Sequence, residues 1–185
     1  MSVLRTAVSL LSHTCNLCED NSAEAELLKS KMLLAKIPTC IGTHQRALDG
    51  KDPIEPDASL SHAANLLWCI TGEKPHEISA KVMDVSLILY AEHDFNASTF
   101  TSRVIASTNS DMHSCVCGGI GALKGNLHGG ANEAAMDMLS EIMEATSKGQ
   151  TVDEYMQHAF ETKKKLMGFG HRVYKNGDHR AGILR

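Results

Sequence analysis

The chain has 185 residues, 43% hydrophobic and 22% charged, with a net charge of −4 when histidine is neutral. This is the composition of a globular protein of one domain, or one domain and part of another. It lacks the basic excess a nucleic-acid partner requires, and no apolar run reaches the length that spans a membrane. The opening MSVLRTAVSLLSHTC has one arginine before its apolar stretch and no small-residue cleavage site, so it does not read as a secretory signal. Helix follows helix from there. Ser22 caps a segment over 22–37 with apolar residues at Leu27, Leu28, Met32, Leu34 and Ile37; Pro38 interrupts or kinks it, and TCIGTHQRAL carries it on. Residues 50–59, with two prolines, a glycine and four charges, form a loop. Ser59 or Ser61 caps HAANLLWCITG, which stops at Gly72, and a further helix starts near Glu77 behind Pro75. ASTFTSRVIAST is rich in β-branched residues, yet its helical neighbours favour a helix. The 111–125 stretch has small residues where another helix could approach closely. ANEAAMDMLSEIMEATSKG and TVDEYMQHAFETKKKLMG are clearly amphipathic helices, the second with a Thr151/Glu154 capping-box pattern. No alternating strand series appears, so the expected class is all-α.

Six cysteines, at positions 15, 18, 40, 69, 115 and 117, are scattered along a chain too large to need staples. They read as reduced thiols of a reducing compartment, and a cytoplasmic location is expected. Cys15 and Cys18 have C-x-x-C spacing near His13. Without a second ligand pair or a thioredoxin-like context they read as thiols in an interhelical turn, and no metal is expected.

Three histidine-bearing stretches hold the chemistry. In LYAEHDFNASTF, His93 sits between Glu92 and Asp94 after an apolar run, as a helix-end cap or as a donor to an acidic ligand. In GNLHGGANEAAMDML, glycines 125, 129 and 130 bracket His128. They suggest left-handed backbone and close ligand approach, and the helix that follows sets its unpaired N–H groups and positive dipole end beside the imidazole. A positive field there keeps the ring neutral at pH 7, able to donate to a developing enolate oxygen. GGIGALKGNLHGG matches neither the phosphate-loop nor the dinucleotide-binding pattern. In KKKLMGFGHRVYKNGDHR, glycines again flank a histidine, His171. Lys163, Lys164, Lys165, Arg172, Lys175 and Arg180 crowd around it, suiting either a polyanionic coenzyme or a solvated basic helix end.

Taken in order, EHDFNASTFTSR, GALKGNLHGGANEAAMDML and KLMGFGHRVYKNGDHRA resemble the citrate synthase family, which includes the 2-methylcitrate synthases. The start, SVLRTAVSLL, resembles an early helix of the same enzymes. The resemblance implies a multi-helical all-α fold, with residues 1–130 part of a large domain and 131–185 the beginning of a small, coenzyme-binding one. It implies condensation of an acyl-CoA with oxaloacetate followed by thioester hydrolysis, in a homodimer, with acetyl-CoA or propionyl-CoA as substrate and no tightly bound cofactor. His128 matches the donor to the thioester carbonyl, and His171 the group that polarises the oxaloacetate ketone. His93 and Arg180 match the groups that contact oxaloacetate carboxylates. Leu166, Met167, Gly168, Phe169, Gly170 and Lys175 match the coenzyme-binding region.

Two departures stand out. Asp178-His179-Arg180 replaces the family's Asp-Pro-Arg, and Gly125-Asn126-Leu127-His128 replaces Gly-Pro-Leu-His. Each lost proline softens a loop that positions a catalytic group. The family's catalytic aspartate and further arginines lie downstream of the third motif. The expectation is therefore an internal piece of such an enzyme, inactive or nearly so by itself. The alternative is a non-catalytic helical interaction module.

Overall fold

The computed structural model describes residues 1–92, 95–170, 174 and 176–185. All regular structure among them is helical: α1 Ser2–His13, α2 Ala23–Leu48, α3 His62–Thr71, α4 Glu77–Tyr90, α5 Ala97–Ala106, α6 Met112–Leu123, α7 Gly130–Ser147, α8 Val152–Glu161 and the short α9 Ala181–Leu184. None is long and apolar enough to cross a membrane.

Local chemistry sets most of the boundaries. Ser22, Ser61 and Asn96 accept from the backbone N–H three residues on, starting α2, α3 and α5. His76 starts α4 through its own ring, its Nδ1 accepting from Ile78 N–H at 3.2 Å. The Thr151/Glu154 capping box opens α8 as the sequence suggests. Gly72, at φ +82°, ends α3. As TCIGTHQRAL suggests, α2 runs on to Leu48, with Pro38 buried inside it rather than interrupting it. One expectation is revised. The tenth helical amphipathic residue, Glu161, is also the last of α8, because Lys163 adopts φ +53° and Lys164 N–H reaches back to the Ala159 carbonyl at 2.8 Å. That wrap closes the helix and leaves 164–170 non-helical.

The chain forms two compact units, Met1–Ala122 with His179–Arg185, and Leu123–Asp178. In the first, Val8 of α1, Leu33 of α2 and Ile120 of α6 form a buried cluster, flanked by Leu4, Leu11, Ile37, Met112, Val116 and Cys117. Helix α3 crosses α2 so closely that a β-carbon at Gly42 would collide with Cys69. The small residues of α6 do what their pattern suggests: Gly118 and Gly119 face Ile105 and Ser102 of α5. Buried Lys29 ties the α1–α2 connection to α2, donating to the Cys18 and Asp20 carbonyls at 3.1 and 2.7 Å and pairing with Glu26 at 2.7 Å. In the second unit α7 packs on α8, with Met138 and Ala159 buried.

Candidate active site

His128 lies in the turn between α6 and α7. The Gly125 carbonyl accepts from His128 N–H at 2.9 Å and from Gly130 N–H at 3.1 Å, and the His128 carbonyl accepts from Ala131 N–H at 3.2 Å. The half-buried histidine is thus joined directly to the first turn of an 18-residue helix. Two details differ from the sequence reading. The glycines at 125, 129 and 130 do not adopt positive φ. Instead, a β-carbon at Gly129 would collide with the Leu123 carbonyl, and one at Gly130 would press on Gly125 at 3.1 Å. Glycine is needed because the turn folds onto its own backbone. The opening N–H groups of α7 are also engaged: Gly130, Ala131 and Asn132 donate to the carbonyls of Gly125, His128 and Gly129.

The 164–170 segment belongs to the same unit. Here positive φ is real, at Gly168 (+82°) and Gly170 (+76°). Gly168 packs against α7, where an added β-carbon would sit 3.5 Å from Ala135. Leu166 and Met167 are half-buried, and Phe169 is 70% exposed. The three lysines are not equivalent. Lys164 pairs with Glu141 of α7, bonds the Tyr155 hydroxyl at 3.1 Å and lies over that ring. The Lys164 ammonium beside it holds the Glu141 carboxyl below its ordinary range. Lys163 and Lys165 remain exposed.

Arg180, in the other unit, occupies the N-cap of α9 and stacks its guanidinium over Tyr90, the last residue of α4, at 4.7 Å. His93, His171 and Lys175 lie outside the described residues.

The fold also gathers a cluster that sequence reading missed. Cys18 Sγ, from the α1–α2 connection, lies 3.9 Å from His113 Nδ1, and that nitrogen lies 3.6 Å from Asp111 Oδ1. Asp111 caps α6, accepting from Ser114 N–H at 3.0 Å and from its hydroxyl. Burial raises the Cys18 thiol's pKa, assisted by Asp111, and burial lowers that of the His113 imidazole against the pull of Asp111. For Asp111 itself burial acts upward but is outweighed by the Ser114 and His113 hydrogen bonds, leaving the carboxyl low. The Asp-x-His spacing is a faint signal, and nothing local links it to Cys18.

Comparison with known proteins follows the motifs. The family model described as citrate synthase, C-terminal domain, matches residues 1–185. The chain is 46% identical to a citrate synthase of Deinococcus radiodurans, covering 100% of this chain and 48% of that protein. It is 42% identical to a 2-methylcitrate synthase of Mycobacterium tuberculosis, with 100% and 46% covered. The crystal structure of citrate synthase from Thermotoga maritima aligns with a TM-score of 0.71 at 38% identity, over 96% of this chain and 50% of that one. Citrate synthase from Thermoplasma acidophilum, in a ternary complex with carboxymethyl coenzyme A and oxaloacetate, aligns at 0.77 and 32% identity, over 97% and 46%. The chain spans about half the length of the curated relatives it matches. With the family model matching it from end to end, the chain belongs to the citrate synthase family.

Proposed function

We propose that this segment serves the condensation of acetyl-CoA or propionyl-CoA with oxaloacetate, followed by hydrolysis of the thioester. The observation that supports it best is the anchoring of His128 to the first turn of α7. An imidazole held at the start of a helix is placed to donate to the thioester oxygen as charge develops there. His171 polarises the oxaloacetate ketone, and His93 and Arg180 bind its carboxylates. Leu166, Met167, Gly168, Phe169, Gly170 and Lys175 bind the coenzyme: the positive φ at Gly168 and Gly170 gives a backbone that a phosphate chain can approach closely. In this reading residues 1–130 are part of the large domain and 131–185 begin the small one, in a cytoplasmic homodimer. The six free cysteines suit a reducing compartment.

The test is His128→Ala in the enzyme that carries this segment, followed by release of free CoA and by oxaloacetate calorimetry. Turnover is expected to fall by about 10²–10⁴ with oxaloacetate affinity nearly unchanged. Equal losses in both would reassign the residue. The alternative, a helical interaction module, predicts self-association of the chain with no CoA or oxaloacetate binding.

A further inference from the structure

We propose that Cys18, Asp111 and His113 form a binding site for one divalent transition-metal ion of the zinc class, held by a thiolate, a carboxylate oxygen and an imidazole Nδ1. None of the three is a residue assigned above to the condensation chemistry. The three ligand atoms all lie within 4.8 Å of one another, and Cys15, despite its C-x-x-C spacing, is not among them.

The distances carry the argument. At 3.6 Å the imidazole–carboxylate separation is too long for a hydrogen bond, and 3.9 Å is long for a thiol donating to nitrogen. Around a tetrahedral zinc, with bonds of about 2.3 Å to sulfur and 2.0–2.2 Å to nitrogen or oxygen, neighbouring ligand atoms stand roughly 3.4–3.6 Å apart. Two of the three separations are therefore too long for good hydrogen bonding and within a few tenths of an ångström of a coordination shell, and the sulfur–carboxylate pair lies inside 4.8 Å. The donor set, one sulfur, one nitrogen and one oxygen, suits a borderline-soft dication, and a fourth position is left for water.

The surroundings are already ordered. Ser114 fixes the Asp111 carboxylate through its N–H and hydroxyl, and Lys29 fixes the Cys18 backbone through the carbonyl. The nearby Lys29 ammonium is itself neutralised by Glu26 at 2.7 Å. A thiolate and a carboxylate balance the dication, so the occupied site carries no net charge into a half-buried place. His113 is buried, while the Asp111 side chain is 17% exposed and Cys18 partly exposed, which gives an ion a way in. On binding, the Cys18 S–H bond is exchanged for a sulfur–metal bond and the proton leaves to the buffer.

The reduced, chelator-stripped chain is titrated with Co(II) and separately with Zn(II). One equivalent of Co(II) is expected, with a near-ultraviolet thiolate-to-cobalt band that equimolar Zn(II) abolishes. Cys18→Ser should remove the band. Asp111→Asn and His113→Gln should weaken binding at least about tenfold, and Cys15→Ser should leave it intact. Far-ultraviolet circular dichroism confirms the fold of each variant, and the partly exposed Cys18→Ser decides should His113→Gln unfold. A chain that binds cobalt without the band, or not at all, overturns the proposal, as does a band that survives Cys18→Ser and is lost in Cys15→Ser.

Discussion

A β-carbon added at Gly129 would lie less than 3.0 Å from the Leu123 carbonyl oxygen and from two carbons of its side chain. The φ of Gly129, −65°, suits any residue, so the obstacle is space alone. Gly129→Ala should therefore push the His128 turn off Leu123, costing about 1–3 kcal/mol of stability in a urea titration. An unchanged midpoint would show that the turn yields freely. Lys163 is the opposite case, a side chain where glycine belongs. At φ +53° it pays the left-handed penalty to close α8. Lys163→Gly should stabilise the chain by about 1 kcal/mol by the same measurement, and a loss would mean that the lysine side chain holds the segment. The sequence displays both sets of glycines, at 125–130 and 168–170, with the same look. Only the second is there for positive φ, because chain composition does not tell crowding from conformation.

At the scale of elements, capping residues and stop signals are legible because they act within three or four positions. Ser22, Gly72 and the Thr151/Glu154 box are read directly, and Ser61 is one of two candidates with Ser59. The continuation of α2 past Pro38 is legible too, but its reason is not: buried Leu33, Pro38 and Gly42 show that packing against neighbours, not propensity, carries the helix through. Lys29 is the sharper example. It reads as one more solvated charge, yet it is fully buried and holds two carbonyls and Glu26. Lys29→Met would strand those acceptors and should cost about 2–4 kcal/mol; a loss under about 0.5 kcal/mol would show that water replaces the ammonium. The connection between α2 and α3 carries a pH signature as well. The Ser59 hydroxyl and N–H, with Lys74, hold the Asp57 carboxyl down to about 2 from 3.8. A depressed carboxylate contributes stability above its unfolded pKa and loses it as pH falls through the folded one. The chain should thus lose stability between about pH 4 and pH 2, and Asp57→Asn should flatten that slope in urea midpoints across the range. An equal slope in the variant would leave Asp57 without a role.

At the scale of the whole chain, the two units differ in how much they bury. Met1–Ala122 with His179–Arg185 holds Val8, Leu33 and Ile120 at its centre, with Ala63, Leu66 and Cys69 buried on α3. Leu123–Asp178 buries only Met138 and Ala159 among its described apolar side chains, and leaves Met136, Met143, Phe160 and Phe169 exposed. A unit with so little apolar surface removed from water sits at the low end of local stability. Amide hydrogen exchange should show α7 and α8 opening at lower free energy than α1, α2 and α3; uniform protection would mean the chain unfolds as one. The same measurement tests the coenzyme assignment, since His128 and Leu166–Gly170 belong to the less stable unit. CoA at about a hundredfold excess over its dissociation constant should raise the opening free energy there by about 2.7 kcal/mol if that unit must be folded to bind it. Protection gained only in α1–α3 would remove Leu166–Gly170 from the coenzyme site.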